Sequence, residues 1–199
     1  ENWLNQQWYV KHKPNLALRL LSKIYAFVLR FQAKQNTHKL SVPIIVVGKC
    51  TVGGYGKTPL FIGLIPYLEK NGFKPGVVSR GYGRASKQAI SVMKDSLVRD
   101  CGDEPLLIAQ QTHVPIRVDS DRLRAAEYLI QQKCTIILAD DGLQHKNLPR
   151  DIEIEVLDSQ RNYGNGLLLP AGPMREVIRP VTTRVSNGSV EDGVNFYAM

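Results

Sequence analysis

The sequence predicts an α/β fold: a mainly parallel sheet with helices on both faces, preceded by an N-terminal amphipathic helix. Three observations carry this. Short apolar, β-branched runs alternate with helical patterns of about a dozen residues. The glycine-rich and charged segments fall at the C-terminal ends of those runs: Gly53–Thr58, Arg80–Arg84, Asp140-Asp141 and Asp158. In open α/β sheets, ligands bind at that edge. Composition agrees, since 43% hydrophobic and 22% charged residues describe an ordinary globular chain. A length of 199 residues suits one large domain, or one domain and part of another.

The N-terminal segment comes first. Leu16, Leu20, Ile24, Phe27 and Phe31 recur at helical spacing, with Arg19, Lys23 and Arg30 on the other side. Those charges make the helix too polar to span a bilayer. Trp3, Trp8 and Tyr9 precede it, and such aromatics favour the headgroup region. The net charge is +8, and up to residue 39 only Glu1 opposes Lys11, Lys13, Arg19, Lys23, Arg30, Lys34 and Lys39. An anionic partner follows: nucleotide, nucleic acid or acidic membrane surface. The helix therefore reads as lying in an anionic membrane interface, each basic residue near the surface adding about 1 kcal/mol. Packing on its own domain is the alternative. Lys34 to Ser41 reads as a linker.

A strand over Pro43–Val47 leads into Gly48-Lys49-Cys50-Thr51-Val52-Gly53-Gly54-Tyr55-Gly56-Lys57-Thr58. Strand, glycine-rich loop, Lys-Thr and helix is the phosphate-cradling arrangement of nucleotide-binding proteins. Gly53, Gly54 and Gly56 let backbone N–H groups turn inward. The helix N-terminus adds positive partial charge. Lys57 supplies a cation for the terminal phosphates, and the Thr58 hydroxyl suits Mg²⁺. The strict pattern has glycine where Thr51 stands.

The helix over Pro59–Leu68 ends at Asn71-Gly72. A second strand, Pro75–Ser79, ends in the basic loop Arg80–Arg84, and Ala89–Met93 suits an edge strand. A helix opens at Gly102-Asp103-Glu104-Pro105. Asp103-Glu104 there reads first as a helix cap, with proton acceptance from an attacking hydroxyl as the alternative. Val114–Val118 is a strand. The helix over Ser120–Gln131 takes Asp119 or Ser120 as N-cap and turns Leu123, Ala126, Leu129 and Ile130 inward. Thr135–Ala139 is a buried strand ending in Asp140-Asp141, acids placed to hold the metal that Thr58 also touches. His145 follows, a phosphate contact or an exposed loop residue. Ile152–Leu157 is a further strand. The long loop Asn162–Glu176 has the length of a functional one; Arg175 suits an anionic substrate and Glu176 a metal. Cys50, Cys101 and Cys134 lack metal or disulfide spacing, which indicates a reducing compartment. No signal-peptide pattern is visible.

Five motifs now stand in order. They are Thr51-Val52-Gly53-Gly54-x-Gly56-Lys57-Thr58-Pro59, Ser79-Arg80-Gly81-Tyr82-Gly83, Gly102-Asp103-Glu104-Pro105, Asp140-Asp141-Gly142-x-Gln144-His145, and Gly164-Asn165-Gly166-x-Leu168-Leu169-Pro170-Ala171-Gly172-Pro173-x-Arg175-Glu176. Together they resemble the tetraacyldisaccharide 4′-kinases, the lipid A 4′-kinase family of Gram-negative bacteria, across nearly the whole chain.

The resemblance implies a phosphate-loop NTPase-like fold on the cytoplasmic face of the bacterial inner membrane, held monotopically. It implies transfer of the ATP γ-phosphoryl group, with Mg²⁺, to the 4′-hydroxyl of a tetraacyldisaccharide 1-phosphate. The partners are then that acylated lipid and an anionic membrane surface, not nucleic acid. Thr51, Gly53, Gly54, Gly56 and Lys57 would bind the nucleotide. Thr58, Asp140, Asp141 and Glu176 would support the metal. Asp103 would be the base, with Lys57 also catalytic, and Arg80, Gln144, Asn165 and Arg175 would meet the phosphosugar headgroup. The expected organisation is 1–39 as interface helix and linker, 40–180 as kinase core, and 181–199 as the start of a truncated C-terminal lobe. Lys49 stands where the family usually has Asn, and Tyr55 where a small residue is usual. The family's C-terminal lobe supplies a histidine paired with the catalytic Asp, and no histidine follows His145 here. The rival is a membrane-associated nucleotide switch of the same fold, which would not need Asp103, Asn165 and Arg175.

Overall fold

The computed structural model describes residues 2–10, 14–31, 39–53, 56–144, 148–187 and 195–198. Gly54, Tyr55, His145 and most of the expected linker lie outside them. The strands are β1 (Ile44–Gly48), β2 (Pro75–Ser79), β3 (Ile90–Val92), β4 (Ile116–Val118), β5 (Ile136–Asp140), β6 (Ile152–Asp158), β7 (Thr183–Asn187) and β8 (Asn195–Ala198). They form one sheet in the order β3-β4-β2-β5-β1-β6-β7-β8. The β3-β4 and β7-β8 pairs are antiparallel and the other pairs parallel. The helices are α1 (Asn2–Tyr9), α2 (Leu16–Phe31), α3 (Lys57–Lys70), α4 (Val98–Cys101), α5 (Asp103–Gln111) and α6 (Arg122–Gln131).

Alternation along β1 builds the layers. Ile45 and Val47 enter one core with Phe61 and Ile65 of α3 and Ile108 of α5. Ile44 and Val46 enter the other with Ala125, Ala126 and Leu129 of α6. Successive side chains of a strand point to opposite faces, so a strand covered on both sides must be apolar throughout. The expected three-layer α/β architecture is thus what these residues form. Its middle is β5-β1-β6, which aligns the ends of β1 and β5 side by side, Val47 opposite Asp140.

Some boundaries differ from expectation. α3 begins at Lys57, two residues before Pro59, because Gly56 with φ 101° turns the chain directly into it. The cap at the end of α3 is Asn71-Gly72 as expected, with Gly72 donating to the Glu69 carbonyl. The N-cap of α6 is Asp121, not Asp119 or Ser120. Its carboxylate accepts from the Leu123 and Arg124 amides, while Asp119 is taken by the Arg124 guanidinium at 2.7 Å. The inward face of α6 is consequently Arg122, Ala125, Ala126 and Leu129, with Leu123 and Ile130 only half-buried. Helices α1 and α4 and strands β7 and β8 were not anticipated. β7 pairs with β6, so the chain beyond residue 180 continues the core sheet.

Candidate functional site

The site grows from the end of β1. The chain leaves Gly48, passes Gly53 with φ 115° and Gly56 in the left-handed region, and enters α3 at Lys57. Both positive φ values are ones an L side chain rarely adopts, so this loop depends on glycine. Thr51 is buried inside the loop, and Thr58 is half-buried in the first turn of α3.

Lys57 is 7% exposed, and its ammonium faces three carboxylates. Nζ lies 3.2 Å from Asp141, 3.5 Å from Asp140 and 3.7 Å from Glu104. Burial pushes the ammonium down, but Asp140, Asp141 and Glu104 outweigh it and hold Lys57 above its ordinary value. Burial and then the Asp140 charge lift Glu104 above the usual carboxylate range. Burial also pushes Asp141 up, yet Lys57 and Arg175 bring it below that range. Lys49, buried at the end of β1, is lowered by burial and by the Lys57 charge beside it.

Two glycine contacts bring the other strand ends in. At Gly81, φ is 68° and a Cβ would lie 2.6 Å from the Cys101 carbonyl oxygen. At Gly102 a Cβ would meet the Gly81 backbone at 3.2 Å. The loop after β2 and the start of α5 therefore interlock at bare backbone, which carries Glu104 to Lys57. Ser79, the last residue of β2, donates to Asp140 at 3.1 Å.

The long loop before β7 straps the phosphate loop. The Val52 amide donates to the Pro173 carbonyl at 2.9 Å, and the Arg175 amide to the Cys50 carbonyl at 2.6 Å. Arg175 then reaches Asp141 at 3.1 Å. Gln144 donates to the Lys49 carbonyl at 2.7 Å and to Glu176 at 2.9 Å. Glu176 is buried beside Cys50 and Arg179.

A cavity of about 360 Å³ opens over this floor, lined by Arg80, Glu104, Asp140, Asp141, Gln144 and Arg175 among others. Its lining does not include the phosphate-loop residues Thr51, Gly53, Gly56, Lys57 and Thr58, nor Asp103, Asn165, Glu176 or the strand-end acid Asp158. Asp103 is exposed at the start of α5, its carboxylate accepting from the Glu104 amide at 2.9 Å. Asn165, expected at the headgroup, spends its contacts on the Ala171 and Gln7 carbonyls and the Leu167 amide. Asp158 caps the turn after β6 by accepting from the Gln160 and Arg161 amides. Glu176 lies behind Gln144. Sequence reasoning passed over Glu104, Ser79, Tyr25 and Arg122 as site residues. Glu104 entered only as half of the Asp103-Glu104 pair, read as a cap or a proton acceptor, and the signal it offered was its place directly after Asp103.

The geometry fits a Mg²⁺-nucleotide. The loop needs glycine where phosphate oxygens must approach its amides. Asp140 and Asp141 stand on one side of a buried lysine, and Mg²⁺ is usually held by one or two carboxylates together with substrate phosphates.

Comparisons with known proteins agree. The family model for tetraacyldisaccharide-1-P 4′-kinase matches residues 14–187. A tetraacyldisaccharide 4′-kinase of Stenotrophomonas maltophilia (strain R551-3) is 49% identical over 178 residues, covering 86% of this chain and 52% of that protein. The one from Shewanella pealeana is 43% identical over 200 residues, covering 96% and 61%. A crystal structure of LpxK from Aquifex aeolicus in complex with ATP superposes with a TM-score of 0.71 at 31% identity, over 80% of this chain and 53% of that one. The chain spans about half the length of the curated relatives it matches. With the five motifs gathered around one cavity and the family model spanning them, the chain belongs to the tetraacyldisaccharide-1-P 4′-kinase family.

Proposed function

We propose that this chain is the nucleotide-binding core of a kinase. It would transfer the ATP γ-phosphoryl group to the 4′-hydroxyl of a tetraacyldisaccharide 1-phosphate, a step of lipid A synthesis. The observation that carries the reading is Lys57, buried against Asp140, Asp141 and Glu104, three acids that line a cavity together with Arg80 and Arg175. The names of the relatives favour transfer to a lipid over a switch of the same fold.

Bound Mg²⁺-ATP would supply the electrophilic phosphoryl group and part of the charge neutralisation that transfer requires. Thr51, Gly53, Gly54, Gly56 and Lys57 would hold its phosphates. Thr58, Asp140 and Asp141 would hold the metal, with Glu176 keeping Gln144 in place behind them. Arg80, Gln144 and Arg175 would orient the phosphosugar, and Asn165 would serve by shaping the loop that presents Arg175. Asp103, exposed at the start of α5 beside Glu104, would accept the proton of the attacking hydroxyl. Glu104 would position Lys57.

The acceptor is a lipid, and α2 is built to meet one. Leu16, Leu20, Ile24, Phe27 and Phe31 are all more than half exposed on its outer side. No helix among the described residues is long and apolar enough to cross a membrane. The exposed apolar side supports a helix seated in an anionic interface, and the family resemblance alone suggests the cytoplasmic face of the bacterial inner membrane.

The test is to incubate the protein with γ-labelled ATP, Mg²⁺ and a detergent-dispersed tetraacyldisaccharide 1-phosphate. Label is expected in the lipid, lost in Lys57→Ala. Asp103→Asn should lose transfer but retain ATP binding. ATP hydrolysis without labelled lipid would overturn the kinase reading.

A further inference from the structure

Arg122 opens α6 and is 5% exposed. Its Nη2 donates to the backbone carbonyls of Asp140, at 3.0 Å, and Asp141, at 3.2 Å. That grip pins the guanidinium against the end of β5. The rest of the group is idle: Nε and Nη1 are buried and meet no hydrogen-bond partner among the described residues. Arg122 lines the same cavity as Arg80 and Arg175.

A clamp on β5 accounts for Nη2 alone. Buried donors without partners are rare and costly, more so on a charged group. Burial, with the charge of nearby Arg80, outweighs Asp140 and Asp141 and lowers the guanidinium to about 10. It therefore stays cationic at neutral pH. Nε and Nη1 lie on different edges of the guanidinium, and each keeps an N–H that a single anionic oxygen, of a carboxylate or a phosphate, would satisfy. The carboxylates of Asp140, Asp141 and Glu104 face Lys57, and among the described residues none bonds to Nε or Nη1 of Arg122.

We propose that an idle N–H donor of Arg122 binds a phosphate oxyanion entering this cavity. Within the kinase reading, on which the choice of ligand rests, that phosphate belongs either to the terminal position of the nucleotide or to the 1-position of the acceptor. Arg122 is then a phosphate-binding residue, and its hold on the Asp140 and Asp141 carbonyls keeps the anion in register with them.

The experiment measures dissociation constants by calorimetry for wild-type protein, Arg122→Lys and Arg122→Gln. The ligands are ATP, ADP, a detergent-dispersed disaccharide 1-phosphate and its dephosphorylated counterpart. One charge-assisted hydrogen bond predicts a loss of about 10- to 100-fold in Arg122→Gln. A nucleotide source shows as weaker ATP with unchanged ADP. An acceptor source shows as 1-phosphate affinity falling to that of the dephosphorylated sugar lipid. Arg122→Lys, which retains charge and can still meet a carbonyl, should lose part of the same selectivity and serves if Arg122→Gln folds poorly. Equal weakening of all four ligands, or no change in any, would overturn the proposal. These are binding measurements, so absence of phosphoryl transfer in the earlier assay would refute the kinase reading without touching this one.

Discussion

The Tyr25 hydroxyl donates to the Arg175 carbonyl at 2.8 Å. Tyr25 belongs to α2, the helix with the exposed apolar side, and Arg175 to the loop that pairs with Asp141. Ser22 of α2 also donates to the Leu168 carbonyl at 2.9 Å, and α1 joins the same loop through Trp8 to Pro170 at 3.0 Å and Asn165 to Gln7 at 3.1 Å. Helix α2 is thus a wall of the site. Tyr25→Phe deletes one hydrogen bond, worth about 1 kcal/mol. The expected outcome is a small drop in melting temperature, unchanged ATP affinity, and a several-fold higher KM for the lipid acceptor. An equal loss of ATP affinity would show that the bond merely holds the fold.

Removing Lys57 leaves its acids facing one another. Asp140 is 4% exposed, so its charge has little water to turn to. Breaking a buried pair by deleting one partner costs about 3–5 kcal/mol, less here because Asp141 and Glu104 are partly solvated. Lys57→Met should melt lower than wild type at neutral pH and recover part of the difference as the pH falls and the acids neutralise. Thermal melts across pH 5–8 check this, and a pH-independent deficit would contradict it.

Why some of this was visible in the sequence and some not has physical causes. β1 and β5 are covered on both faces, so every residue before Asp140 is apolar and the run stands out. β7 is Thr-Arg-Val-Ser-Asn with Val185 its buried hydrophobic residue. Its Arg184 is drawn inward by Glu155 at 2.8 Å, a partner that no local pattern announces. α1 is short, and tertiary bonds from Trp8 and to Gln7 fasten it. In the site, Lys57, Asp140 and Asp141 were legible because glycine spacing and strand ends locate them. Arg122 was not, since a basic residue in a first helical turn reads as a solvated charge. Only the packing of α6 against the sheet brings it to the Asp140 and Asp141 carbonyls.

Acid should weaken the fold through Glu153. Burial pushes its carboxyl up, but hydrogen bonds from Arg179 and Arg150 outweigh this and hold it below its ordinary value. The unfolded chain then takes up the proton first as pH falls, so stability rises with pH through this range. The stabilisation is present above the unfolded value of 4.5 and is lost as pH falls through the lower native value. Asp119, paired with Arg124, and Asp141, paired with Lys57 and Arg175, act in the same direction. Glu104 acts oppositely: its native value is raised, so its contribution is lost as pH rises. Chemical denaturation at several pH values from 6 to 3 should show a falling free energy, with a shallower slope in Glu153→Gln. An unchanged slope would remove Glu153 from the account.

The outer side of α2 permits a cleaner separation of membrane binding from stability. Leu20 is 63% exposed and Phe27 60% exposed, so neither contributes much to the packed core. Transfer of such a side chain out of water is worth about 2 kcal/mol. Leu20→Glu with Phe27→Glu should therefore weaken partitioning onto anionic vesicles by roughly 100-fold or more. Melting temperature without lipid should stay near wild type, because the substitutions meet water. Salt gives an independent lever. Arg19, Lys23 and Arg30 attract the anionic surface through a screened interaction, so vesicle binding of the wild type should fall as ionic strength rises. Neutral vesicles should bind more weakly and with little salt dependence. Co-sedimentation reads all of these, and a double variant that sediments like wild type would place the membrane contact elsewhere than α2.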